Sequence, residues 1–184
     1  MSSAFARNRA IRNLDKCSSN WNGKKPRVFE PNLEGKPVIV LSNNDGCVIA
    51  RSEESKKLGF KVGDPIFKLK DCVRKHNVIV RSSNFALYGD MSRRVMQTIR
   101  LFSPDVEVYS IDEAFIQLDG LHGRNYEEEM RRMRATILRW TGIPVSIGIG
   151  KTKTLAKLAN HYAKKNIETG GVAKIGEHPD EMLK

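Results

Sequence analysis

Two adjacent carboxylates, Asp112 and Glu113, stand between segments of alternating polarity, Val106-Glu-Val-Tyr-Ser110 and Ala114-Phe-Ile-Gln-Leu118. Alternation across so short a join is a hairpin signature. Neighbours in a strand point to opposite faces, so both acids reach one cation cluster only where the backbone bends. A hairpin end supplies that bend. Carboxylates so placed can hold Mg2+ between themselves and a triphosphate. One ion lowers the pKa of an attacking hydroxyl, and a second stabilises the departing pyrophosphate. That is the chemistry of nucleotidyl transfer. The plain alternative is an acidic turn open to water. Against it stand the apolar flanks, the basic excess of the chain, and Lys151, Lys153, Lys157, Lys164 and Lys165 downstream.

A second signal, Gly148-Ile-Gly-Lys-Thr152, resembles part of a phosphate-binding loop. The full motif needs a glycine five residues before Gly150, and Val145 stands there, so a nucleoside triphosphatase is disfavoured. Cys17, Cys47 and Cys72 are odd in number and irregularly spaced, which argues against a disulfide framework or zinc site and for a reducing cytoplasm. Lys and Arg total 32 against 21 for Asp and Glu, a net charge of +11. An excess this large suits a polyanionic partner, because each cationic contact to a phosphate releases condensed counterions. Charge alone leaves nucleic acid, nucleotide and anionic lipid open. No apolar run approaches the ~20 residues that span a bilayer, so no membrane is expected.

The elements that must position these residues follow from pattern. In a chain of 184 residues, 1–26 are polar, with only Phe5 to Leu14 able to make a short basic helix. Pro37 to Leu41 and Cys47 to Ala50 read as strands around the turn Ser42-Asn-Asn-Asp-Gly46. Ser52 to Leu58 is a short helix and Val78 to Val80 a brief strand. Phe85 to Phe102 is helical, with Leu87, Met91, Val95, Ile99 and Phe102 at three-to-four spacing. Tyr126 to Trp140 is an amphipathic helix, Val145 to Ile149 a strand, and Thr152 to Lys165 a helix. A hairpin followed by a helical return implies an α+β fold, a ferredoxin-like layer with helices on one face, preceded by a smaller α/β unit.

Tyr109-Ser-Ile-Asp-Glu-Ala-Phe115 resembles the second acidic motif of the Y-family translesion DNA polymerases. Leu33 to Arg51 and Leu58 to Pro65 resemble the fingers of the UmuC type, and Thr152 to Asn160 its palm helix. These motifs occur in order over Arg27 to Val172. The resemblance implies a divergent segment at 1–26, fingers at 27–81, a ferredoxin-like palm at 82–171 and the start of a truncated thumb region at 172–184. It implies template-directed, error-prone synthesis past lesions in the SOS response, by a cytoplasmic nucleotidyltransferase using two Mg2+ ions. Asp112 and Glu113 take the catalytic, metal-ligand role, and Lys56 and Lys164 contact the incoming triphosphate. Primer–template DNA and a deoxynucleoside triphosphate are the implied partners, with a UmuD-type subunit and the sliding clamp as accessory ones.

The chain departs from that family at its start. The family's first strand carries an Asp-x-Asn/Asp-x-Phe-Phe/Tyr pattern. Counted back from Arg27, the aspartate position falls on Cys17 and the aromatic pair on Trp21 and Asn22. A thiolate is too soft for Mg2+, and Asp15, the remaining candidate metal ligand, lies two residues too early and reaches the position only through a bulge or shift. Residues 1–26 also offer no apolar strand for the middle of the palm sheet, and the thumb and little-finger domains are missing. The expectation is an interrupted gene product with impaired catalysis. The alternative is a non-catalytic remnant that binds DNA or a polymerase partner.

Overall fold

The computed structural model describes residues 3–8 as backbone, and residues 30–118 and 125–175. The chain divides into two compact units. The smaller ends at Leu87, and the larger combines the N-terminal strand with the residues from Tyr88 onward.

The smaller unit is a three-stranded sheet of β2 (Val38–Leu41), β3 (Val48–Arg51) and β4 (Ile79–Ser82). The order is β3-β2-β4, with β2 antiparallel to β3 and parallel to β4. Central β2 is apolar and buried at every residue, as a strand covered on both faces must be. Ile39, Leu41, Val48, Phe60 and Val78 form the core. The short helix α1 (Glu53–Lys57) is tied to β2 by two buried serines. Ser52 Oγ caps it by accepting from Ser55 N at 3.2 Å, and also accepts from Val38 N at 3.0 Å. Ser55 Oγ donates to the Val38 carbonyl at 2.9 Å. A second short helix, α2 (Lys70–Lys75), brings Cys72 and Val73 against the core.

The larger unit is built on a five-stranded sheet in the order β5-β6-β1-β7-β8. Its strands are β1 (Ser3–Asn8), β5 (Val106–Ser110), β6 (Glu113–Gln117), β7 (Val145–Gly150) and β8 (Val172–Lys174). Helices α3 (Phe85–Arg100), α4 (Tyr126–Thr141) and α5 (Lys153–Lys165) connect or flank them. All three fall where their apolar spacing puts them. Asn125 caps α4 by accepting from Glu127 N at 3.1 Å, and Gly142 ends it in the left-handed conformation, φ 70°. Thr152 caps α5 by accepting from Leu155 N at 3.2 Å.

Two features differ from the sequence reading. The N-terminal residues do supply a strand: β1 lies between β6 and β7 and is antiparallel to both. Its sequence, Ser-Ala-Phe-Ala-Arg-Asn, has no apolar alternation to announce it. The ladder is made by backbone N–H and C=O groups, which any non-proline residue carries. Residues Val172–Lys174, expected to open the next region, instead form β8, parallel to β7.

The Gly148-Ile-Gly150 spacing has a packing cause. A Cβ at Gly148 would lie 2.1 Å from the Asn160 backbone nitrogen and 2.2 Å from the Ala156 carbonyl oxygen. One at Gly150 would lie 2.6 Å from Ala156 N. Helix α5 therefore rests directly on the backbone of β7. Asn160, buried in that seam, donates from Nδ2 to the Ser146 carbonyl at 2.6 Å. Val145, Ile147 and Ile149 alternate to the opposite face and are equally buried, so β7 is covered on both sides. A single helical layer does not account for it.

Candidate functional site

Strands β5 and β6 are joined through Ile111 and Asp112, and Glu113 is the first residue of β6. The pairing shifts register between Val108 and Ser110, leaving Tyr109 as a bulge. A bulge bends a strand and re-aims its side chains, which supplies the bend that two neighbouring carboxylates need. Asp112 is 9% exposed and Glu113 8%, so this is no acidic turn open to water. Ser110 Oγ donates to Asp112 Oδ1 at 2.7 Å. From α3, Ser92 Oγ donates to the Ile111 carbonyl at 2.5 Å and fixes the turn against the helix.

Helix α5 runs past the same hairpin. Lys157 places its ammonium 3.5 Å from Glu113 Oε2 and 4.0 Å from the centre of the Tyr109 ring. Tyr109 and Phe115 meet edge to face at 5.7 Å, so the lysine sits over an aromatic pair as well as beside an acid. One turn earlier, Lys153 pairs with Glu107 and lies 5.2 Å above the Phe115 ring. Two of the five lysines expected to line a phosphate path are thus engaged by acids of the hairpin. Lys164 lies seven residues beyond Lys157, roughly 10 Å further along the helix.

Of the residues singled out by sequence, Asp112, Glu113 and Lys164 belong to the larger unit. Lys56 belongs to the smaller one, on α1, where its ammonium pairs with Glu53. Asp15, Cys17, Trp21 and Asn22 lie outside the described residues. Sequence reasoning gave no role to Ser92 or Ser110, and named Lys157 only among the downstream lysines. Ser92 had a readable signal: it is a small polar residue on the apolar stripe of Tyr88, Met91, Val95 and Ile99. The pairing of Lys157 with Glu113 depends on how α5 crosses the sheet, which has no local signature.

A central strand flanked by antiparallel neighbours, with two buried acids at an adjacent hairpin, is the layout of a polymerase palm. Solved structures agree. The chain superposes on the post-insertion binary complex of Dbh DNA polymerase with a TM-score of 0.75 at 26% identity, covering 96% of this chain and 49% of that one. For DinB from Sulfolobus solfataricus the TM-score is 0.71 at 26% identity, covering 95% and 48%. Residues 24–161 match the model of the impB/mucB/samB family, and the chain belongs to that family. It is 53% identical over 150 residues to Protein UmuC of Salmonella typhimurium, covering 80% of this chain and 36% of that protein. DNA polymerase IV of Picrophilus torridus is 34% identical, covering 76% and 41%. The chain thus spans about a third of the length of these curated relatives.

Y-family polymerases use divalent metal ions. The donors at this hairpin suit such an ion in kind, being hard carboxylate oxygens. They do not suit a pair of ions in number. Among the described residues no three Asp, Glu, His or Cys side chains converge, and Glu113 already faces an ammonium. The described donors by themselves do not make a two-cation centre.

Proposed function

We propose that this chain carries the fingers and palm of a lesion-bypass DNA polymerase, residues 27–81 forming the fingers and the rest of the described chain the palm. In this reading it holds primer–template DNA and a deoxynucleoside triphosphate, and its own turnover is strongly reduced. The observation that carries it is the buried Asp112–Glu113 pair at a bulged hairpin beside a lysine-bearing helix, in a member of this family. Asp112, oriented by Ser110, and Glu113 mark where a primer 3′-hydroxyl would meet the α-phosphate. Lys164 neutralises triphosphate oxygens in this reading, while the net charge of +11 favours the DNA backbone.

Mg2+ is the ion proposed for the family reaction, on the hardness of the donors. A damage-induced (SOS) setting in the cytoplasm, a UmuD-type subunit and the sliding clamp complete the proposal. Family membership is what supports that setting. A second reading, DNA binding with no turnover at all, is favoured by the Glu113–Lys157 contact.

Fluorescence anisotropy of a labelled primer–template, with nucleotide incorporation followed in parallel, tests both. With about four phosphate contacts, affinity should fall about 150-fold between about 50 and about 200 mM salt. Asp112→Ala should bind DNA at least as tightly, since a negative charge is removed, and should lose any incorporation. Binding that ignores salt, or that is absent at low salt, refutes the proposal. Wild-type incorporation that survives Asp112→Ala refutes the role of the acid pair. Binding with no incorporation by the wild type selects the second reading.

A further inference from the structure

Two of the most exposed large apolar side chains of the described residues stand at one cleft. Leu101, just past the end of α3, is 69% exposed, and Trp140, in the last turn of α4, is 60% exposed. With Phe102, Glu129, Arg132 and Thr136 they line a cleft of about 270 Å3. Small-molecule pockets run from about 300 to 1,000 Å3, so this one suits a single anchoring side chain better than a whole ligand. It is separate from the acid hairpin. Helix α3 meets that hairpin at Ser92, roughly 12 Å before the helix ends.

The polar part of the lining is cationic and held in place. Arg132 stands 3.5 Å from Glu129 Oε1, and its guanidinium carbon lies 5.7 Å from the centre of the Phe102 ring, yet its side chain stays 68% exposed. A guanidinium steadied in this way keeps part of its donor fork for an incoming carboxylate. Arg100 and Arg139, both exposed, directly precede Leu101 and Trp140. Thr136 Oγ1 donates to the Arg132 carbonyl at 2.9 Å, so its hydroxyl proton is already used. Trp and Arg are the residue types that dominate protein–protein hot spots, whereas lysine is depleted there. No lysine is among the described lining residues. Glu129 in the cleft, with Glu127 and Glu128 beside it in the first turn of α4, repels a run of phosphates. A second copy of the chain would bring the same arginines, and a net charge of +11, against themselves.

We propose that this cleft docks a peptide segment of another protein in which one large apolar side chain is flanked by carboxylates. The apolar side chain enters between Leu101 and Trp140, and the carboxylates meet Arg132 in the cleft and Arg100 and Arg139 at its rim. This is a protein-binding surface additional to any held by the acid hairpin.

The test is peptide display on the full chain, with random peptides selected at physiological salt, where attraction between exposed charges is screened. The best selected peptide is then labelled with fluorescein and followed by anisotropy. Selected peptides should combine a Leu, Phe or Trp with neighbouring acids. Trp140→Ala and Leu101→Ala should each weaken the labelled peptide by about tenfold or more, as truncation of a hot spot does. Arg132→Glu should weaken it too, and should bind better to the same peptide with its acids changed to lysines. All three side chains are exposed, so the variants should melt with the wild type. Should Trp140→Ala fail to fold, as judged by circular dichroism, Leu101→Ala carries the test. A selection that returns no binder, peptides lacking acids or an apolar anchor, or unchanged affinity in the folded variants overturns the proposal. A single-stranded oligonucleotide that displaces the peptide and itself binds Trp140→Ala more weakly also overturns it, by assigning the cleft to nucleic acid. Dimerisation in sedimentation that Trp140→Ala abolishes overturns it by assigning the cleft to a second copy. Primer–template binding by the same variants should be unchanged, and it reports separately on the polymerase reading.

Discussion

Replacing Gly148 with alanine adds a single methyl group where the site's supporting helix touches its sheet. The new Cβ would lie 2.1 Å from Asn160 N, 2.2 Å from Ala156 O and 2.7 Å from Asn160 Cα, where ordinary contact begins at 3.4 Å. All three atoms are α5 backbone, so no side chain can swing aside. The helix must retreat by more than 1 Å along much of its seam with β7. Overpacking of this kind costs about 1–3 kcal/mol. Retreat also breaks the buried 2.6 Å bond from Asn160 Nδ2 to the Ser146 carbonyl, a further loss of about 1–2 kcal/mol. A total near 3 kcal/mol corresponds to a fall in melting temperature of roughly 6–12 °C for a chain this size. Gly89→Ala is the internal control. Gly89 sits within α3 with nothing within 4 Å of its ideal Cβ, so alanine should stabilise by about 0.5–1 kcal/mol. Thermal denaturation of both variants decides the matter. A Gly148→Ala protein that melts within about 2 °C of wild type refutes the close-approach argument.

Ser92→Ala removes the 2.5 Å bond to the Ile111 carbonyl and should lower stability by about 1 kcal/mol, read as a shift in urea midpoint. The same variant should raise hydrogen exchange at the Ile111–Asp112 turn, because that bond anchors the turn to α3. Glu30 accepts from the Arg81 guanidinium, and this hydrogen bond holds its carboxyl below the ordinary carboxylate range. A lowered folded-state value means that the contribution is present above the unfolded pKa and is lost as pH falls through the folded one. The difference in urea midpoint between Glu30→Ala and wild type should therefore be small at neutral pH, because the pair is exposed, and should vanish in acid. A difference that grows in acid contradicts this assignment.

Much of the larger unit could be read from sequence because its elements carry strong periods. Helix α3 shows apolar residues at three-to-four spacing, and α4 begins with Asn125 and three acids. The hairpin was legible because alternation breaks at Ile111-Asp-Glu113 and resumes. Strand β1 was not legible, since Ser3–Asn8 enters the sheet through backbone pairing with two ready-made neighbours. Its alanines and Arg7 look no more like a strand than like a helix. The glycines at 148 and 150 were visible, and the phosphate-loop reading of them was disfavoured by Val145, but their packing role was not legible, because a glycine needed for close helix packing looks the same in sequence as one needed for a loop. The acid pair was identified by type and position. The company it keeps, Lys157 from α5 and Ser92 from α3, comes from elements brought in over distances that no local pattern records.

Photolabelling with an azido-substituted deoxyadenosine triphosphate, followed by peptide mapping, tests most directly whether the acid hairpin is a nucleotide site. The account predicts label on the peptides carrying Tyr109–Phe115 and α5, competed by unmodified deoxynucleoside triphosphate and reduced by Lys164→Ala. Label that falls elsewhere on the larger unit, or that no nucleotide competes away, contradicts it.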